Sequence, residues 1–498
     1  MKYLLFAFFL CFYLLFPNNN PGIDAYDYAW SIKYGEALFR PHHLLYNGFG
    51  WACFFLVKHF GWHFQALELM QAINSIFAAL SLLLLWNLIQ GLQEKISEDV
   101  TAGFVFFTGA SYGVMRFATE NETYIIPIFL SLAGSLYFLK HLGSGKNKHI
   151  LGAGLFAAVA CLFHQVHVFW WIGLFVGVYY SKGFGKSMWW YFLPALLVPL
   201  VYSLVLFAET DQLSVSSLNR YVFHEYSSGN VEPALTLKNV LLGIINLART
   251  FIQLHGIQAY MFGKSWFYAL PAIASLGLLV YSISKSRSTR KINPDNRTPI
   301  FSRSHLIIAC LHVFFAFFAG GNSEFMVMLP YLFVLWMAST FTFSFTPVWL
   351  AGVALMVWNF TYGVFPSWKS KFSHHKEFIE FIKHEPEALF IVHDYPLLVN
   401  ELEYMNGNKV SRNVSRSPSM LAAKGYGVDS LRSQVDLMLL KGNAVYTDII
   451  NAPKVLSRAS IVQGDENGGF FAKYDTMPVD SFDTFYGYYY LHKMRLRE

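Results

Sequence analysis

The sequence predicts an α-helical polytopic membrane protein with about 11 transmembrane helices and a small C-terminal α/β soluble domain. Three observations lead there. Apolar runs near the 20 residues that cross a bilayer recur between residues 67 and 363. Charged residues make up 14% of the 498-residue chain, whereas soluble domains carry about a quarter. Beyond residue 364 the apolar runs give way to polar, periodic segments. The expected division is 1–363 in the membrane and 364–498 outside the cytoplasm.

The first segment, residues 3–16, is fourteen apolar residues behind Met1-Lys2. That length also suits a signal-peptide core, but Phe16-Pro17-Asn18-Asn19-Asn20 offers no small-residue cleavage site, so a retained span is expected. Further spans follow at about 67–92, 100–118, 122–140, 150–167, 168–181, 188–208, 266–284, 305–320, 325–341 and 344–363. Eleven spans starting inside put the C-terminus outside.

Basic residues test this topology, because lysine and arginine concentrate in cytoplasmic loops. The expected inside loops hold Lys140, Lys146 and Lys148, then Lys182 and Lys186. A third holds the cluster Lys285, Arg287, Arg290, Lys291, Arg297 and Arg303. The two long outside loops, 17–66 and 209–265, hold only seven between them. The inside loop "QEKISED" at 93–99 fits less well, but acidic residues weigh little in the rule.

In the tail, "HKEFIEFIKH" has helical periodicity, "ALFIVH" reads as a strand and "YPLLVNELEYM" as a second helix. "ASIVQGDENGGFFAKY" reads as a hairpin turning at its glycines. His393-Asp394 follows the strand directly and is a ligand candidate, although such a pair is more often a polar strand end. The four cysteines, Cys11, Cys53, Cys161 and Cys310, lie in or beside apolar segments without metal spacing and read as small buried hydrophobes. The net charge of +6 carries no nucleic-acid footprint.

Ionisable residues at span ends are costly and therefore functional candidates. Four clusters stand out, all on the expected outer face. The first is the opening loop, with Asp24, Asp27, Glu36, His42 and His43. The second is "RFATENETY", with Arg116, Glu120 and Glu122. The third is "LFHQVHVFW", with His164 and His167, and the fourth is "GGNSEFMVMLPY", with Asn322 and Glu324. Taken singly, each has a plain reading as a solvated loop, a helix cap or an interfacial anchor; their shared face gives them weight. Asp24 and Asp27 are three apart and project from one face of a helix. Such a pair can divide work between a general base and an orienting group. With His42 and His43 they also offer donors for a divalent cation. Adjacent histidines cannot both point inward from a regular helix, so metal is the lesser reading.

This layout resembles the GT-C glycosyltransferase superfamily. More particularly, it is similar to bacterial relatives of the protein O-mannosyltransferases and the aminoarabinose (lipid A) transferases. "GIDAYDYAWSIKYGEALFRPHHLLYNGFG" resembles their first outer loop, "RFATENETYIIPIFLSLAGSLYF" their Ala-x-Glu-x-Tyr segment, and "ACLFHQVHVFW" their Gly-Leu-x-x-His stretch. The resemblance spans roughly residues 1–340. The chain departs from it in a short first span, in "PHHLLY" where His-Pro-Pro-Gly-Tyr is commoner, and in "NSEF" where an Arg-Tyr pair is usual.

What the resemblance implies is transfer of a sugar from a polyprenyl-phosphate donor to a glycan, lipid or protein acceptor, at the outer face of a bacterial cytoplasmic membrane. Asp24 is then the expected base, with Asp27 supporting it or binding metal. Arg116, Arg220, Arg249 and Lys264 are candidates for the lipid phosphate, Arg249 first among them. His42, His43, Glu120, Glu122, His164 and Glu324 complete the expected substrate site. Two other classes compete. A transporter or flippase predicts charges near span midpoints, and spans such as 188–208 and 266–284 have none. An oligosaccharide polymerase or ligase also acts at the outer face, but the late outer loop at 320–324 is very short for one.

Overall fold

The computed structural model describes residues 1–92, 96–227, 235–286, 289–290, 297–407, 413–453 and 466–497. Of the expected basic cluster, Arg287 and Lys291 lie outside the described residues, as do 93–95 of "QEKISED" and 459–465 of the expected hairpin. The chain forms two compact units. The first comprises Met1–Asn18, Gly35–Leu254 and Met261–Phe365. The second comprises Asn19–Tyr34, His255–Tyr260 and Pro366–Glu498.

The first unit is helical. Among the described residues, seven helices are long and apolar enough to cross a membrane: Ala66–Leu92, Ile125–Ser144, Lys186–Thr210, Trp266–Lys285, Arg297–Phe318, Ser323–Thr340 and Phe345–Lys369. Lys2–Leu15 and Asn147–Phe163 are shorter apolar helices. The chain is a multi-pass membrane protein. Small residues let these helices close on one another, the usual basis of packing where lipid supplies no hydrophobic drive. A Cβ at Gly154 would strike the backbone carbonyl of Tyr191, and one at Gly173 would strike Ile308. The carbonyl is main chain and cannot swing aside. Gly154→Val should therefore cost about 1–3 kcal/mol by overpacking, seen as a lower unfolding midpoint in detergent. An unchanged midpoint would mean that this crossing is looser than described.

The run expected as one span over 100–118 is two helices, Glu98–Ala110 and Tyr112–Ala118, broken at Ser111. No proline marks the break, although Gly109 and Gly113 flank Ser111. It is sustained by Asn359, whose Nδ2 donates to the carbonyls of Ala110 and Phe251, 2.8 Å each, while its Oδ1 accepts from the Gln253 N–H at 2.8 Å. Irregular backbone at membrane depth survives only when protein groups satisfy it in this way. The stretch 209–265 is likewise not an open loop. It folds as Val215–Val222, Leu237–Phe251 and Ile257–Lys264, with Thr236 capping the second by accepting from the Asn239 N–H at 3.1 Å. Cys161 is buried as expected, but Cys11 and Cys310 are exposed. They sit on outward faces of apolar helices, where lipid rather than protein is the apolar neighbour.

In the second unit, five strands form one sheet: β1 Leu389–Val392, β2 Val414–Arg416, β3 Val445–Thr447, β4 Tyr474–Thr484 and β5 Gly487–Leu496. Their order in space is β2-β1-β3-β5-β4, parallel across the first three and antiparallel at β3–β5 and β5–β4. Every residue of β1 is buried, as a central parallel strand requires. The helices His375–His384 and Tyr395–Asn406 flank β1 in sequence, where the periodicity put them. The hairpin lies further on than expected. Glu466–Phe471 is a helix, and the turn falls at Phe485-Tyr486 between β4 and β5. Burial explains the difference: Phe470 and Phe471 pack into the cluster around Val435 and Tyr474, and that packing outweighs the local preference of Gly468-Gly469 for a turn. The helix Ile23–Tyr34 also belongs to this unit. It packs along Tyr395–Asn406, with Lys33 Nζ donating to the Tyr404 carbonyl at 2.9 Å and Asn400 Nδ2 to that of Ile23 at 3.0 Å.

Beside the sheet, His374 Nε2 and Asp448 Oδ2 are 2.9 Å apart, and Asp448 Oδ1 accepts from the His393 N–H at 2.8 Å. Burial holds the His374 imidazole below its ordinary range, against the pull of Asp448. Burial alone would raise the Asp448 carboxyl, but the hydrogen bond and charge of His374, with those of His393, keep it low. Both shifts have one sign for stability. An unfolded His takes its proton near pH 6.5 while the folded one resists, so stability falls as the pH drops below about 6.5. Asp448 adds to the loss only at lower pH, as its folded carboxyl titrates. Amide exchange protection of β1 and β3 should hold from pH 8 to 7 and fall towards pH 5. Protection flat across that range would refute the pair's role.

Candidate active site

Four of the polar segments meet inside the first unit. Tyr46 follows the turn Pro41–His43 and sends its hydroxyl to Asn121 Oδ1 at 2.9 Å. Asn74, buried in the long helix Ala66–Leu92, donates through Nδ2 to the carbonyls of Glu120 at 2.7 Å and Glu122 at 2.8 Å. It also lies 3.3 Å from the Tyr46 hydroxyl. The "TENE" loop is thus held by its backbone, which leaves its carboxylates to other work. Both are almost wholly buried, Glu120 at 1% and Glu122 at 5% exposure. Buried carboxylates need paired charge, and Arg116 Nε stands 3.3 Å from Glu120 Oε2.

Glu324 joins from the turn Ser323–Met326. Its Oε2 accepts from Tyr124 Oη and Asn322 Nδ2, 3.1 Å each. The Tyr124 ring lies 4.9 Å from the ring of His164. His164 ends the helix Asn147–Phe163, and its Nδ1 accepts from the Val166 N–H at 3.2 Å. His42 and His43 sit on a 3₁₀ turn, their rings 4.2 Å apart. Burial, with His42, His164 and Arg40 nearby, pushes the His43 imidazole well below its ordinary value. A neutral ring that can donate and accept results.

His167 has another duty. Its Nδ1 is 2.7 Å from Ser131 Oγ, a side-chain bond between neighbouring helices. Arg249 lies in the last turn of Leu237–Phe251 rather than in an open loop, bound to Asn246 Oδ1 at 3.0 Å and to the Leu254 carbonyl at 3.2 Å. Asp24 and Asp27 belong to the second unit, Asp24 exposed and Asp27 half-buried on the helix Ile23–Tyr34. Tyr46, Asn74, Asn121 and Tyr124 were not among the expected site residues. A signal was available for one of them: Gln71, Asn74 and Ser75 make a polar stripe at helical spacing in an apolar run.

Next to this network lies an apolar groove of 590 Å³, lined by Val166, Trp171, Val198, Tyr202, Leu218 and Phe315 among others. Gln165, immediately after His164, is part of its wall. Its amide donates to the carbonyls of Pro41 at 3.0 Å and Val222 at 2.9 Å, so the groove borders the turn that carries His42 and His43. Among the described residues, no group of three or more His, Cys, Asp or Glu side chains is placed to hold a metal ion.

The architecture has counterparts. The crystal structure of the Archaeoglobus fulgidus oligosaccharyltransferase in its apo form is similar with a TM-score of 0.52 at 10% identity, covering 98% of this chain and 74% of that one. The same enzyme's complex with Zn and sulfate gives 0.51 at 11%, covering 98% and 72%. At such identity the likeness is one of fold. No protein-family model matches the chain, and no curated protein matches it.

Proposed function

We propose that this protein is a membrane glycosyltransferase that moves a sugar from a polyprenyl-phosphate donor to an acceptor hydroxyl at the outer face of a bacterial cytoplasmic membrane. The observation that carries this reading is the apolar groove bordering a buried network of charge at helix ends. A lipid-linked donor has the same two-part chemistry: an apolar tail and an anionic head. Its tail would occupy the groove, and Arg116 with His42 and His43 would meet the phosphate. Asp24 would act as base, taking the acceptor's proton as the oxygen attacks the anomeric carbon and the carbon–oxygen bond to the lipid phosphate breaks. Asp27 would orient it. Similarity of fold to an oligosaccharyltransferase supports saccharide transfer and leaves the sugar and acceptor to experiment.

The test is a polyprenyl phosphate carrying a photoactivatable group in its chain. Labelling should fall on peptides containing Val198 and Leu218 and be reduced by Val198→Trp. Cells lacking the protein should also lose one sugar from a surface polymer. Labelling confined to other helices, with unchanged surface glycans, would end the proposal.

A further inference from the structure

The second unit contains a cavity of 610 Å³, inside the range of about 300–1,000 Å³ that small-molecule sites span. We propose that this cavity is a saccharide-binding site. Its walls combine aromatic faces, Trp368, Tyr486 and Tyr489 among them, with hydrogen-bonding side chains. Rings that cover the apolar faces of a sugar, beside groups that meet its hydroxyls, are the chemistry that a saccharide asks for.

The charges on the wall decide against an anion. Lys369, Lys371 and Lys376 face Glu377, Asp394 and Glu401, three cations against three carboxylates. Lys371 is already paired with Glu377, and His375 Nδ1 lies 3.5 Å from Glu401 Oε2. No net positive field remains to hold a phosphate or sulfate.

His374 points to a ligand that donates hydrogen bonds. It is part of the wall and only 2% exposed. With its Nε2 committed to Asp448, a neutral ring carries a lone pair on Nδ1, and that atom has no partner among the described residues. A buried polar atom without a partner is uncommon and calls for an explanation. A hydroxyl can supply the missing proton, whereas an ionised phosphate oxygen would repel the lone pair. The ring is held firmly, stacked on Tyr489 with centroids 4.2 Å apart. The segment that bears Trp368 is held as well: Asn20 Nδ2 donates to the carbonyls of Ser367 at 2.7 Å and Ser370 at 2.8 Å, and its Oδ1 accepts from the Phe372 N–H at 2.7 Å. Such a site is formed before the ligand arrives, which spares the ordering cost of binding.

The experiment uses the full chain in lipid nanodiscs and needs no turnover, so its outcome is independent of the transfer reading. Chitotriose, mannotriose and maltotriose, each at about 1 mM, the Kd range of a weak site, are examined by saturation-transfer NMR. At least one should receive saturation, with affinity lowered about tenfold or more in His374→Phe and in Trp368→Ala. The partly exposed Trp368 decides the matter if loss of the Asp448 partner unfolds the first variant. Saturation of none of the three, saturation undiminished in the folded variants, or displacement by sodium phosphate would each overturn the proposal.

Discussion

Asp24→Asn should abolish sugar transfer while leaving expression, membrane insertion and labelling by the lipid probe near normal. The size of the effect separates the two roles a carboxylate can have here. Asp24 is exposed in the first turn of its helix, where its charge contributes about 0.3–1 kcal/mol to the helix dipole. Asn caps and hydrogen-bonds almost as well, so the structural loss is small. A general base must accept a proton, which Asn cannot do, and loss of such a group costs about 10²–10⁴-fold in rate. Glu36→Gln is the control. Glu36 lies beyond the helix, which ends at Tyr34 before Gly35 turns to a φ of 73°, and its change should be mild. Transfer kept above roughly a tenth in Asp24→Asn would place the base elsewhere, and Asp27 would be tested next.

Asn74→Leu should have the largest effect on stability. One amide binds the carbonyls of Glu120 and Glu122 and reaches the Tyr46 hydroxyl. Leucine of similar volume would fill the space but strand two buried carbonyls, at about 1–3 kcal/mol each. Against a total stability of about 5–15 kcal/mol, that is a large share. The unfolding midpoint in detergent should fall by several degrees, and transfer should fall with it as the Glu120–Glu122 loop loosens. Ile76→Ala, on the exposed side of the same helix, should move the midpoint far less. Equal effects from the two changes would show that the amide is not what holds the loop.

The sequence reveals those parts of the fold whose signal is local. The helical periodicity of "HKEFIEFIKH" and the β-branched and aromatic run at 389–392 are read from neighbouring residues alone, and both elements stand where expected. The break at Ser111 depends on Asn359, and the helix at 466–471 depends on burial against Val435. Neither partner is near in sequence, so neither feature can be settled from neighbouring residues alone. The site divides in the same way. Arg116, Glu120, Glu122, His164 and Glu324 announce themselves as charges or histidines in apolar surroundings. Asn74 and Tyr46 are neutral and blend into the spans, and only the fold shows that they bind the loop. The same apolar background hid the helices within 209–265, because an amphipathic helix such as Leu237–Phe251 looks like a loop when spans are the standard of comparison.

The clasp made by Asn359 also sets a timetable for the protein's birth. The Ala110 carbonyl receives its partner from a side chain 249 residues later in the chain. At synthesis rates of about 5–20 residues per second, that partner emerges roughly 10–50 s after Ala110 does. Until then the interrupted helix sits in the bilayer with a main-chain acceptor unsatisfied, which hydrocarbon tolerates poorly. The nascent chain is therefore obliged to linger at the insertion machinery, or to hold a water there, until Asn359 has been made.

 Only when Asn359 arrives can the end of the first half-helix at Ala110 be fastened to the end of Leu237–Phe251.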